Sequence, residues 1–195
     1  VDADDLMDEM IATARSIAEE QGKAKDMSPE ETDEVARRVG LGALKYFLLK
    51  VDPRKNIVFR PEEIIDFNGN TGPFIQYTYA RIRSVLRRAA EQGISLPERF
   101  DPKTLTLETK EQELVAKLAE YADVVADAAR DFSPALIANY VYELVKEYNQ
   151  FYHEHSILKE EDETKRAFRL ALSEVIARTI AAGSALLGIE MPERM

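Results

Sequence analysis

The sequence predicts an all-α protein, a helical bundle preceded by a helical connector with at most a short strand. Three observations lead to this prediction. Of the 195 residues, 45% are hydrophobic and 32% are charged, with many Ala, Glu, Leu, Lys and Arg residues, a composition typical of amphipathic helices. Apolar residues recur at helical spacing along most of the chain. Serine, proline and glycine signals mark where these stretches begin and end.

The first predicted helix covers residues 4–22 and has one buried stripe. The stripe consists of Leu6, Met7, Met10, Ile11, Ala14, Ile17 and Ala18.

A second helix is predicted to begin after Ser28. A serine before Pro29, with Glu31 three residues after the serine, is a helix-capping pattern. This helix is expected to end near Val51. Its inward-facing residues are predicted to be Val35, Val39, Ala43, Leu44, Phe47 and Leu48.

Pro53 and Pro61 prevent the second helix from continuing, and residues 56–59 between them form a predicted extended segment, a candidate edge strand. Residues 66–73 then concentrate turn-forming residues before a helix-starting proline. We therefore place the main boundary here. Residues 1–72 form the predicted connector, and residues 73–195 form the predicted bundle.

The bundle is predicted to contain five helices. They cover about residues 73–92, 108–121, 121–131, 134–154 and 160–187. Asp131 or Ser133 is expected to cap the helix that starts at Pro134. Gly183 and Gly188 are expected to bracket the end of the last helix.

Composition restricts the classes of function. The chain has no cysteine, which excludes disulfides and thiolate sites. No apolar run approaches the roughly 18–20 residues that a membrane span needs. The net charge of −10 argues against nucleic acid, because phosphate binding depends on Lys and Arg. However, residues 76–90 contain four arginines and no acid, so a local basic surface is compatible with the acidic average.

The helix after Pro73 is predicted to have two different faces. The apolar face contains Ile75, Tyr79, Ile82, Leu86 and Ala89. The other contains Tyr77, Arg81, Ser84 and Arg88, with Gln76, Arg83 and Arg87 beside them. Guanidiniums bind phosphates and aromatic rings stack on unpaired bases, so this face suits an RNA loop. The alternative is a solvated basic face paired with the protein's own carboxylates.

Aromatic residues cluster again between residues 140 and 152. The buried period there includes Leu136, Tyr140, Leu144, Tyr148 and Phe151. Tyr142, Asn149 and Tyr152 fall outside it and are candidates for ligand contact, although tyrosines can also close the rim of a core. His153 and His155 are two residues apart and have no third partner in the pattern, so no metal site is predicted. No catalytic constellation is apparent.

Residues 67–81 have the sequence FNGNTGPFIQYTYAR, which closely resembles the F-x-G-N-T-x-P-Y-x-Q-Y-x-x-x-R signature of arginyl-tRNA synthetases. Residues 133–144, 148–152 and 187–195 also resemble the C-terminal helical domain of this family. That domain is named after an Asp-Ala-Leu-Arg motif. Here the motif has Arg166 in place of the acid and Phe168 in place of the leucine, and it retains Ala167 and Arg169.

The resemblance implies the C-terminal portion of an arginine–tRNA ligase, with an anticodon-binding bundle that holds the anticodon arm of tRNA-Arg. The family's two ATP-site motifs do not occur in this chain. We therefore expect this portion to be inactive alone and to need no cofactor, whereas the parent enzyme uses ATP with Mg²⁺. Its own catalytic domain is the other expected partner. A cytoplasmic monomer is expected.

By the same resemblance, Phe74 and Tyr77 border the anticodon pocket, with Tyr152 and Met195 across from them. The full set of expected tRNA-binding residues is Phe74, Tyr77, Arg81, Arg88, Asn139, Tyr152 and Met195. Position 74 is often tyrosine in the family, so phenylalanine retains stacking but loses a hydroxyl. The alternative function is a helical protein-interaction module without RNA specificity.

Overall fold

The computed structural model of the chain describes residues 2–20, 27–58, 64–97, 99–101 and 105–195. These ranges contain seven helices and no strand, so the all-α prediction is confirmed. The helices are α1 (Ala3–Glu20), α2 (Pro29–Leu49), α3 (Gly72–Glu91), α4 (Thr109–Ala119), α5 (Tyr121–Arg130), α6 (Pro134–Glu154) and α7 (Glu163–Leu186).

Parts of several predictions lie outside the described residues. These are the end of the first helix at residues 21–22, Phe59 of the candidate strand, and Pro61. Residues 56–58 form no strand. The division of the chain at residue 72 stays a prediction.

Side-chain caps satisfy backbone donors at the starts of two helices, and the cap predicted at Ser28 is confirmed. The Ser28 hydroxyl accepts a hydrogen bond from the Glu31 backbone N–H at 3.2 Å, and the Glu31 carboxylate accepts one from the Ser28 N–H at 2.9 Å. Thr71 caps α3 by accepting from the Phe74 N–H at 3.3 Å. Each side chain satisfies a backbone donor that the helix leaves unpaired.

Two further predictions concern the ends of helices α6 and α7. Ser133 occupies the cap position of α6, but its side chain makes no capping hydrogen bond, and Asp131 ends α5 instead. Helix α7 ends at Leu186, between the buried Gly183 and Gly188, so the prediction that these glycines bracket its end is confirmed. Gly188 follows the last helical turn with a φ of +68°, a conformation that glycine adopts without strain.

The larger core lies between α3 and α7, with α6 at its centre and Tyr46 of α2 contributing one ring. Two residues predicted to face inward are exposed. Leu48 is 48% exposed and Leu136 is 39% exposed, while the neighbouring Tyr46 and Ile137 are buried. The other residues of both predicted stripes are buried or half-buried, so one residue of each stripe departs from the prediction.

A smaller core joins α1, α2 and the segment before α3, and it contains Met10, Val39, Leu44 and Ile64. Helices α2 and α3 come very close where they cross. A Cβ added at Gly72 would lie 2.5 Å from the Gly42 carbonyl oxygen. Only glycine allows this approach, so this pair sets the position at which α3 begins.

A buried ion network connects α7 with α4. The Arg169 side chain is 3% exposed and donates to Glu111 at 2.7 Å and to Glu160 at 2.7 Å, with Glu108 at 3.1 Å. Glu111 is fully buried and also accepts the Glu108 backbone N–H at 2.8 Å, which caps α4. One carboxylate thus stabilises both a helix start and a helix-to-helix contact.

We expect Gly72→Ala to lower the free energy of unfolding by about 1–3 kcal/mol, because the added methyl meets backbone atoms that cannot rotate away. Urea denaturation measures this change. Glu91→Ala, on the exposed end of the same helix, is the control and should change stability by less than about 0.5 kcal/mol. Equal stability of Gly72→Ala and the parent chain would contradict the close crossing.

Glu111→Gln should destabilise the chain by about 1.5–3 kcal/mol, because it removes a charge-assisted hydrogen bond while Arg169 retains two other carboxylates. The matched control is Glu113→Gln on the same helix, whose side chain is 54% exposed and pairs with Lys110. An exposed pair of this kind contributes at most about 1 kcal/mol. Similar losses for both variants in thermal denaturation would refute the special role of Glu111.

Candidate nucleic-acid interface

A groove of about 570 Å³ runs along α3 and is the most informative surface of the protein. Five of the seven expected tRNA-binding residues line it. The lining consists of Met27, Tyr77, Ala80, Arg81, Ser84, Val85, Arg87, Arg88, Tyr152, Arg194 and Met195. The helical phase predicted from sequence therefore brings Tyr77, Arg81, Ser84 and Arg88 to one surface. We call this surface the α3 groove.

Arg81 lies against two tyrosine rings in the α3 groove. Its guanidinium carbon is 4.9 Å from the centre of the Tyr77 ring and 5.2 Å from that of Tyr152. Such cation–π contacts contribute about 0.5–2 kcal/mol each, depending on burial. Arg81 therefore links α3 to α6 and holds both rings at the groove.

A buried asparagine fixes the orientation of Arg81. Asn149 accepts a hydrogen bond from Arg81 Nη1 at 2.6 Å. It donates to the Thr78 hydroxyl at 2.8 Å and to the Val145 carbonyl at 3.1 Å. The sequence interpretation of Asn149 as a residue available to ligand was wrong, because its side chain is buried and serves as this brace.

The four arginines of α3 divide into different roles. Arg83 Nε donates to the Glu193 carboxylate at 2.8 Å, and Arg87 Nη1 donates to the Glu193 carbonyl at 3.1 Å. For these two, pairing with the protein's own acid is the correct interpretation. The Arg88 guanidinium is exposed and makes no hydrogen bond or ion pair with any described residue.

Residues 189–195, which we call the tail, cross α2 and α3 and reach the groove. Gln76 donates to the Glu190 carbonyl at 2.9 Å and to the Arg38 carbonyl at 2.9 Å, so it connects α3 to the tail and to α2. Gln76 is fully buried, which corrects its prediction as part of the polar face. The last residue, Met195, packs beside the smaller core and also lines the groove.

Glu193 is the acidic centre of this tail contact. Its carboxylate accepts from the Tyr79 hydroxyl at 3.0 Å as well as from Arg83. Burial alone would raise the pKa of Glu193, but the hydrogen bonds from Arg83 and Tyr79 and the charges of Arg83 and Arg87 outweigh it and lower that pKa. Burial and the hydrogen bond to Glu193 raise the pKa of Tyr79. Glu193 is therefore charged at neutral pH.

Two expected site residues do not line the groove. Phe74 is half-buried and packs against Tyr142, with ring centres 6.0 Å apart. Asn139 donates to the Lys50 carbonyl at 3.2 Å and to the Ala135 carbonyl at 2.7 Å, so it connects α6 to the end of α2. Their assignment to RNA contact remains a prediction, but the structure places both in contacts within the protein.

Sequence reasoning missed Arg194. It lines the groove beside Met195 and makes no hydrogen bond or ion pair with the part of the chain that is described. The sequence signal that could have identified Arg194 is its position next to Met195, which was predicted to contact RNA. Arg88 and Arg194 together give the groove two guanidiniums that no side chain with described placement neutralises.

Other site classes receive no support from the described residues. His155 Nδ1 lies 3.3 Å from Glu108, within the ion network rather than beside His153. Among the residues with described placement, no group of three His, Asp or Glu side chains has the arrangement of a metal site. None of the described helices has the length and apolarity that crossing a membrane requires.

Comparison with known proteins gives consistent matches. The family model described as DALR anticodon binding domain matches residues 75–195. The arginine–tRNA ligases of Porphyromonas gingivalis and Parabacteroides distasonis are 67% and 63% identical over the full chain, which covers 32% of each relative's length. The solved arginyl-tRNA synthetase of Thermus thermophilus superposes with a TM-score of 0.87 at 33% identity, over 100% of this chain and 32% of that one.

The chain thus spans about a third of the length of the curated relatives that it matches. The family match covers the segment that contains most of α3, all of α4–α7 and the tail. Because this match includes more than half of the residues, the chain belongs to the DALR anticodon binding domain family.

Proposed function

We propose that this chain holds the anticodon arm of tRNA-Arg in the α3 groove, as the tRNA-binding part of an arginine–tRNA ligase. The observation that carries the proposal is the Tyr77–Arg81–Tyr152 arrangement. It presents two aromatic rings beside guanidiniums in one open groove. Anticodon bases are unpaired, so their faces are available for stacking, which a base in a duplex does not offer.

The chemistry of the groove matches a single-stranded RNA loop better than a duplex. Arg88 and Arg194 are positioned to meet phosphates, and guanidiniums bind phosphate oxygens through paired donors. The tyrosine rings supply stacking surfaces at the same site. A protein-interaction groove would need an exposed apolar lining, whereas this one contains four arginines.

Amino-acid activation belongs, in this proposal, to the part of the ligase that these residues do not span. The family's ATP-site motifs do not occur in this sequence, so none of these residues is assigned to binding ATP or Mg²⁺. The chain's own task is to bind and orient RNA. The proposal includes a cytoplasmic location and a monomeric state.

Tyr77→Ala should weaken binding of a tRNA-Arg anticodon hairpin by about 1–3 kcal/mol, roughly 5- to 150-fold, because it removes one stacking ring. Fluorescence anisotropy with a labelled hairpin measures the affinity. The control is Phe132→Ala, which removes a ring that is 88% exposed and does not line the groove. Unchanged binding by Tyr77→Ala, with circular dichroism showing an intact fold, would move the contact elsewhere.

Arg88→Gln should weaken binding of all RNAs and reduce the slope of log affinity against log salt by about one, because one phosphate contact is lost. Arg178→Gln is the matched control, since its side chain is 75% exposed, pairs with Glu174 and lies away from the groove lining. The comparison uses the cognate hairpin and an unrelated tRNA hairpin. Equal affinity of the parent chain for both, with little salt dependence, would support the protein-interaction alternative.

A further inference from the structure

We propose that Glu193 is a positioning residue, which holds the last two residues of the tail as one wall of the α3 groove. It acts through Tyr79, Arg83 and Arg87 and needs no contact with RNA itself. The effect on RNA recognition rests on the function proposed above. The effect on the tail can be tested without RNA.

The three partners of Glu193 form one stripe on α3, because Tyr79, Arg83 and Arg87 are spaced four residues apart. The Tyr79 hydroxyl and Arg83 Nε bind the two carboxylate oxygens at 3.0 and 2.8 Å. Arg87 donates to the backbone carbonyl at 3.1 Å and lies 3.9 Å from the carboxylate. Side chain and main chain of Glu193 are thus both bound to the same helix.

Within the part of the chain that the structure describes, Glu193 is the last residue of the tail with hydrogen bonds to the rest of the protein. Earlier anchors involve the Glu190 carbonyl, which binds Gln76, and the Glu190 carboxylate, which pairs with Arg37 at 3.1 Å. Beyond Glu193, neither Arg194 nor Met195 makes a hydrogen bond or ion pair with a described residue, and Met195 is held by apolar packing alone. The position of this wall therefore depends on Glu193.

When Glu193 is neutralised, losing its charge and losing its hold on the tail predict different changes in RNA binding. Glu193→Gln removes an acid beside the groove and releases Arg83 and Arg87, so electrostatics alone would strengthen binding of any RNA. Loss of the wall would instead reduce discrimination between a cognate and an unrelated hairpin. Replacing a residue that merely stabilised the fold would not change the ratio of the two hairpin affinities.

The first experiment measures how fast a broad-specificity carboxypeptidase releases Met195, with mass spectrometry as the readout. Glu193→Gln and Arg83→Gln should each speed release by roughly tenfold or more, because a charge-assisted hydrogen bond is lost. Glu190→Gln is the matched control, since its carboxylate binds α2 away from the groove. Synthetic peptides of residues 189–195 with Glu or Gln correct for the enzyme's own preference.

The second experiment compares hairpin affinities of the same variants. The ratio between tRNA-Arg and unrelated hairpins should fall roughly tenfold in Glu193→Gln and remain unchanged in Glu190→Gln. Protection of Met195 equal to that of the parent chain in both Glu193→Gln and Arg83→Gln would overturn the proposal. If the parent chain does not discriminate hairpins, the RNA function fails, and the carboxypeptidase result alone still decides whether Glu193 holds the tail.

Discussion

The crossing of α2 and α3 at Gly42 and Gly72 is the constraint on which the site depends. A Cβ at Gly72 would lie 2.5 Å from the Gly42 carbonyl oxygen, and a Cβ at Gly42 would lie 2.5 Å from the side-chain nitrogen of Gln76. This contact sets where α3 starts and how it lies against α2. Gln76, one turn later, then reaches both the Arg38 carbonyl and the Glu190 carbonyl of the tail. The helix that carries the groove and the segment that closes it are therefore positioned by the same crossing.

Helix α3 packs on the core with one face, lines the groove with a second and binds Glu193 of the tail with a third. The core face and the groove face follow from helical periodicity, so Tyr77, Arg81 and Arg88 could be grouped from the sequence. The capping pattern of Ser28 and Glu31 placed the start of α2, because the two partners are three residues apart, and Pro73 placed the start of α3. Periodicity misplaced Leu48 and Leu136, which lie in the terminal turns of α2 and α6, because it gives the direction of a stripe but not how far neighbouring helices cover it.

The roles of buried polar residues could not be predicted, because their partners are distant in the sequence. Asn149 and Gln76 were interpreted as parts of a polar surface, yet each satisfies donors or acceptors inside the protein. Glu193 binds Arg83 across 110 positions. A pattern along the chain shows that an arginine is present but does not show which carboxylate neutralises it. Only the fold therefore shows which arginines of α3 are paired within the protein and which are available to a ligand.

In the motif that names the family, this chain has Arg166 at the position of the acid and retains the final arginine as Arg169. Arg169 retains a buried network of three carboxylates from Glu108, Glu111 and Glu160, none of which belongs to the motif. Arg166, at the position of the motif's acid, binds the Glu160 carbonyl at 3.1 Å, and its Nε is buried without a partner among the described residues. Since the acids that neutralise Arg169 come from outside the motif, losing the motif's acid does not leave Arg169 uncompensated. The bundle can thus keep its buried arginine, and with it the contact between α4 and α7, without that acid.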